Sequence, residues 1–275
     1  AVCGGRLSDY MGREITGSFP PMAAIPTTAG TGSEATKFTV ITDAATDVKM
    51  LLKGEGLVPD IAVVDPEATL TMPKTITAST GLDALTHAVE AYTSKAAQPL
   101  TDALALSAVK RIFKYLPVAF ENGDDKKART EMSVAALEAG ICINNSSVTI
   151  VHGMSRPIGA LFHVPHGMSN AMLLEKCMDF AKDGALKKFA ELGKAVGVAD
   201  AHMDDQTAAE KFVGALGRLC RICNVPTITE YGIDKQKFID AIPKMARDSI
   251  ASGSPGNTQK AVTEDDIKEI YKSLV

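Results

Sequence analysis

The chain has 275 residues, 45% of them apolar, enough for a sizeable core in one large domain or one and a half. A net charge of −4 offers no basic face to nucleic acid, and no apolar run is long enough to span a bilayer. Five cysteines, an odd number over so long a chain, do not make a disulfide framework, so the expected setting is a reducing cytoplasm.

The opening, Ala1-Val2-Cys3-Gly4-Gly5, has no initiator Met and runs straight into loop-like sequence, as expected of a piece of something longer. Short β-type runs follow at 22–25, 36–42, 48–52 and 61–64, broken by Gly and Pro. Residues 43–47 read as the turn between the second and third runs, and Pro59 and Pro66 bracket the fourth.

Near residue 70 the pattern turns helical. Pro73 fits the first turn of a helix, where its missing N–H costs nothing. Ala84, Leu85, Ala88, Val89 and Tyr92 continue that helix at helical spacing. Further helices are predicted at about 100–116, 125–143, 167–182, 185–196, 205–223, 234–249 and 264–273. The last opens on a capping signal, Thr263 with Asp266 three residues on. The fold class is therefore mostly α, with a small α/β portion at 1–70 and a large all-helical domain at 71–275.

Asp83 and His87 stand four residues apart, on one face of a helix, in mostly apolar surroundings. A capped Asp beside an ordinary half-buried His would also satisfy that spacing. His152, His163 and His166 fall within fifteen residues, among Gly153, Gly159, Gly167, Pro157 and Pro165. That punctuation predicts a helix end, a loop and a new helix start. Asp83, His87, His152 and His166 read together as one metal site, a carboxylate with three imidazoles. With an open position it is a Lewis-acid centre, and without one it is structural. Ligand type does not choose Fe2+ over Zn2+. His202, in the polar run 201–205, reads as exposed.

Three motifs carry a family resemblance: P-T-T-A-G-T-G-S-E at 26–34, G-L-D-A-L-T-H-A-V-E-A-Y at 81–92 and H-G-M-S-R-P-I-G-A-L-F-H-V-P-H-G at 152–167. In these the chain resembles the iron-containing (group III) alcohol dehydrogenases, such as lactaldehyde, 1,3-propanediol and butanol dehydrogenases. The resemblance implies metal ligands at Asp83, His87, His152 and His166. It implies a cofactor loop at Thr27, Thr28 and Thr31, and a lysine near the cofactor at Lys49. The cofactor would be NAD or NADP, and the substrate a small primary alcohol or diol or its aldehyde. His163 would face substrate or nicotinamide as a proton relay, with Val148 and Phe162 as pocket walls. Residues 1–70 would be part of a nucleotide-binding domain and 71–275 the metal-binding domain.

The chain departs from the family pattern in two ways. Several relatives carry a histidine four residues after the first loop ligand, where this chain has Arg156. Full-length relatives also carry an N-terminal stretch holding a Gly-Gly-Gly-Ser phosphate loop and the acidic residue that reads the cofactor ribose. This chain joins the pattern just after that loop, so an incomplete form of the enzyme is expected. A dehydroquinate-synthase-like lyase, a metal hydrolase and an inactive metal-binding fragment remain alternatives, and a homo-oligomer is a further expectation.

Outside these motifs, Cys220-Arg221-Ile222-Cys223 is a single pair inside a helical pattern and reads as core thiols. Lys126-Lys127 and Lys187-Lys188 read as solvated faces.

Overall fold

The computed structural model of the chain describes residues 5–17, 19–43 and 48–275, with side chains described throughout except at 42, 43, 48 and 49. β1 (Ala23–Ala24) pairs in parallel with β4 (Ile61–Ala62), Ala23 opposite Ile61. Both are shorter than the runs predicted at 22–25 and 61–64, although hydrogen bonds continue past each end, from Asp60 N to Met22 O and from Val63 N to Ala24 O. Pro26, which has no N–H to give, follows β1 closely. β2 (Phe38–Asp43) and β3 (Val48–Lys53) form an antiparallel ladder with Phe38 opposite Lys53. Most of the turn predicted between them lies outside the described residues. Ile15, Met50 and Leu52 make a small core under this ladder.

From Lys74 onward the chain is helical. α1 (Lys74–Thr93) starts directly after Pro73 and is buried at nearly every position from Thr77 to Thr93. A helix covered on all sides belongs at the centre of its domain, and α1 packs against α2 (Pro99–Glu121), α3 (Lys126–Asn145) and α5 (His166–Ala181). The buried guanidinium of Arg129 ties the start of α1 to the α2–α3 corner, donating to Thr77 Oγ1 at 2.9 Å, Gly123 O at 2.8 Å and Met72 O at 3.3 Å. α6 (Leu186–Ala195), α7 (Asp205–Ile222), α8 (Lys235–Ala251) and α9 (Glu264–Lys272) complete one continuous apolar core. The capping signal at α9 is real: Asp266 N donates to Thr263 Oγ1, and Thr263 N donates back to Asp266 Oδ2. Among the described residues no single helix is long and apolar enough to cross a membrane.

One prediction is corrected. The helix end, loop and new helix start do occur, at Phe162, 163–165 and His166, but the loop is far shorter than the glycines and prolines suggest, because most of the stretch is the continuous helix α4 (Ile150–Phe162). Pro157 removes one backbone donor and costs a helix interior about 3 kcal/mol. Ile150, Val151, Met154 and Ile158 are all fully buried at helical spacing, and each is worth roughly 1.5–3 kcal/mol. Burial outweighs the proline.

Lys188 is also corrected. It is half-buried rather than solvated, donating to Tyr92 O at 2.7 Å and Asp102 Oδ2 at 3.0 Å.

The 26–34 motif reaches the helical part through close backbone contact. Gly30 lies against Thr80 of α1. Gly32, at φ +61°, lies against α3, where a β-carbon would stand 2.5 Å from Gly140 Cα. Gly32→Ala is therefore expected to lower unfolding free energy by about 1–3 kcal/mol, read as a reduced urea midpoint. An unchanged midpoint would show that the loop does not dock this way.

Candidate metal centre

Three helices supply the polar cluster. α1 brings Asp83 and His87, one turn apart; α4 brings His152 from its first turn; α5 brings His166 at its first residue. Their ligand atoms all lie within 4.8 Å of one another. Asp83 Oδ1 stands 3.9 Å from His87 Nε2, 3.8 Å from His152 Nε2 and 3.7 Å from His166 Nε2. The His87 and His152 rings stack with centroids 4.7 Å apart. The structure thus brings together the four residues singled out in the sequence.

α5 can come this close to α1 because Gly167 has no side chain. A β-carbon there would lie 2.4 Å from Ser79 O and 3.3 Å from Asp83 Cβ.

The electrostatics follow from burial. Desolvation alone would raise the Asp83 carboxyl, but the surrounding imidazoles and an amide hydrogen bond outweigh it and hold the group below its ordinary value. Burial, reinforced by the neighbouring imidazoles of His87 and His166, pushes His152 well below the usual histidine range. Asp83 is therefore a charged donor and His152 a neutral one, the forms a divalent cation binds. His166 is the exception to burial, with its side chain 43% exposed, and marks the open side of the cluster.

Two residues that sequence reasoning did not single out complete the site. Asn170, one turn after His166 and fully buried, places Nδ2 2.6 Å from Asp83 Oδ1 and 3.2 Å from both His152 Nε2 and His166 Nε2. Glu90, one turn after His87 on α1 and also fully buried, places Oε2 2.5 Å from His152 Nδ1. Its Oε1 accepts from Thr149 Oγ1 and Val151 N. Burial raises the Glu90 carboxyl and these hydrogen bonds oppose the rise. The helical period starting from Asp83 and His166 contained the signal for both: 83, 87 and 90 share a face, as do 166 and 170.

The other candidates lie apart from the cluster. His163 is the exposed cap that ends α4, at φ 54°, and is not among the clustered ligands. Thr27 and Thr31 are exposed and Thr28 half-buried on the loop that Gly30 seats against α1. Lys49 lies on β3, but its side chain is outside the described residues. Phe162 packs on Phe238 at 5.7 Å. Arg156 donates to Ser254 Oγ at 3.1 Å. His202 is exposed, as its polar surroundings suggest.

Cys220 and Cys223 are free and buried, as are Cys142 and Cys177. Burial pushes the Cys142, Cys220 and Cys223 thiols up to about 12, so none carries thiolate near neutral pH. In a native thiol titration at pH ~8, where an unperturbed cysteine is partly ionised, these four are expected to stay silent and to react after denaturation. Fast native labelling of Cys220 or Cys223 would contradict their burial.

Comparison with known proteins agrees with this arrangement. The profile described as "Fe-containing alcohol dehydrogenase family, C-terminal" matches residues 77–275, and "Iron-containing alcohol dehydrogenase" matches residues 1–66. The NAD-dependent methanol dehydrogenase of Bacillus methanolicus is 37% identical over 100% of this chain and 72% of its own length. The NADPH-dependent butanol dehydrogenase of Clostridium saccharobutylicum is 36% identical over 91% of this chain and 64% of its own. The crystal structure of a 1,3-propanediol oxidoreductase superposes with a TM-score of 0.94 at 34% identity, covering 99% of this chain and 71% of that one. This chain, part of the length of each of these relatives, belongs to the iron-containing alcohol dehydrogenase family.

Proposed function

We propose that Asp83, His87, His152 and His166 hold one divalent cation, Fe2+ or Zn2+. With NAD or NADP bound, the chain would serve hydride transfer between the cofactor and a small primary alcohol or diol, or its aldehyde. The observation that carries this reading is the convergence of four donor atoms from three helices within 4.8 Å. The donor set fits such an ion: one carboxylate held below its ordinary value, with three imidazoles of which His152 is pushed well below the usual histidine range. When bound, the ion supplies Lewis-acid character to an alcohol or aldehyde.

The chain's own groups set the remaining geometry. The exposed edge at His166 leaves one side of the cluster open to an incoming substrate. Thr27, Thr28 and Thr31, on a loop seated against α1 one turn before Asp83, are proposed to hold the cofactor with Lys49. Holding the two reactants within reach of each other is the protein's main contribution. His163, at the exposed end of α4, is proposed as a proton relay. The names of the methanol, butanol and 1,3-propanediol dehydrogenases among the relatives support a short, unhindered substrate.

Residues 1–70 are proposed as the nucleotide-binding part and 71–275 as the metal-binding part, supported by the change from strands to helices near that point. A homo-oligomer in a reducing cytoplasm, with neither nucleic acid nor membrane as partner, belongs to the same proposal. Four free buried cysteines support the reducing setting, and a net charge of −4 supports the exclusion of nucleic acid.

Metal analysis tests the centre. The purified chain is expected to carry stoichiometric Fe or Zn, and Asp83→Ala and His166→Ala should each abolish it while the helical circular-dichroism signal stays. Metal retained in both variants would sink the shared site. With the metal-loaded chain, alcohol-dependent growth of reduced-nicotinamide absorbance is the expected activity. Ester or phosphate hydrolysis in its place would overturn the dehydrogenase reading.

A further inference from the structure

The proton on His152 can be located by following hydrogen bonds. Asp83 Oδ1 accepts from the Asn170 amide N–H2 at 2.6 Å. That same amide nitrogen faces His152 Nε2 at 3.2 Å. The amide also faces His166 Nε2 at 3.2 Å, so the tautomer is decided at the other ring nitrogen, where an N–H beside a carboxylate oxygen donates to it and leaves Nε2 with its lone pair. Nδ1 points at Glu90 Oε2, 2.5 Å away.

The other Glu90 oxygen has a separate task. Thr149, the residue that precedes α4, makes no side-chain cap to its own helix. The first-turn N–H groups of α4 turn instead to Glu90 Oε1. Val151 N donates at 2.7 Å, His152 N lies at 3.4 Å, and Thr149 Oγ1 donates at 2.8 Å. A carboxylate at a helix N-terminus satisfies donors that the helix itself cannot. One buried side chain of α1 thus fixes both where α4 begins and which way its histidine faces.

We infer that Glu90 is the positioning residue of the metal centre: its carboxylate accepts a hydrogen bond from His152 Nδ1–H, so that Nε2 presents its lone pair to the cluster, and it caps α4 so that the ring is held there. This inference rests on the metal reading above only for its consequence, not for the tautomer. Partners of this kind orient a ligand, and their loss weakens metal binding by about 10–100-fold.

Nitrogen NMR on the 15N-histidine-labelled, metal-free chain reads the tautomer directly. The wild-type His152 ring is expected to be protonated at Nδ1 and bare at Nε2, and a ring protonated at Nε2 overturns the inference with no variant needed. In the zinc-loaded chain, Glu90→Gln sets an amide against donors at one end or the other. It should speed zinc release to a chelator by about 10–100-fold. Thr149→Val, which removes a capping donor and leaves the ring contact, should lower the thermal midpoint and leave the release rate near wild type. A purely structural Glu90 would give the opposite result, with both variants losing midpoint and neither changing the release rate. If the wild-type chain takes up no zinc, the metal reading fails, and the tautomer of the metal-free chain still decides this inference.

Discussion

A single buried carboxylate sets the terms for the helical domain. Asp83 lies in the middle of α1, a helix walled in by other helices, where an unpartnered charge would neutralise rather than persist. The His87 and His166 imidazoles and one amide hold it below its ordinary value, and His152 of α4 closes the cluster beside them. Those helices must therefore meet at one point, and the close approaches around them can be read as conditions for that meeting. The polar cluster and the apolar core are not competing features of this fold. The core fixes the helix axes, and the cluster fixes their rotation and depth.

The polar groups form a chain rather than a set of pairs. Asp83 accepts from Asn170, and the same Asn170 nitrogen faces Nε2 of both His152 and His166. The other nitrogen of His152 meets Glu90, which in turn holds the start of α4. Each link has a defined donor and acceptor, which buried polar networks need if they are to stabilise rather than cost. His87 differs, since its Nδ1 has no hydrogen-bond partner among the described residues. The imidazoles are thus unequal, with His152 tethered on both nitrogens, His87 bounded mainly by stacking, and His166 partly open to solvent.

Much of this was legible in the sequence because it is local. The i, i+4 spacing of Asp83 and His87, the cap at Thr263 and the apolar period of α1 each need only a few neighbouring residues to be read. What failed was a contest between local signals. Pro157 and the glycines around it argued for a loop, and the burial of Ile150, Met154 and Ile158, which depends on distant helices, decided for α4. Asn170 and Glu90 went unnoticed for a related reason. An Asn and a Glu are ordinary residues on a helix, and nothing within their own segments shows that the polar atoms they meet come from another helix. Lys188 was misread in the same way, its partners Tyr92 and Asp102 being supplied from far along the chain.

The contact at Gly167 sets how closely α5 can approach α1. The distance between Asp83 and His166 is limited by main chain resting on main chain, at Ser79 O, and not by flexible side-chain stems. A cage braced in that manner cannot shrink further and has little slack to widen without parting two helices. The spacing of the cluster thus depends on a residue that contributes no donor atom to it. Even the smallest side chain at that position would push α5 off α1 before it altered any donor.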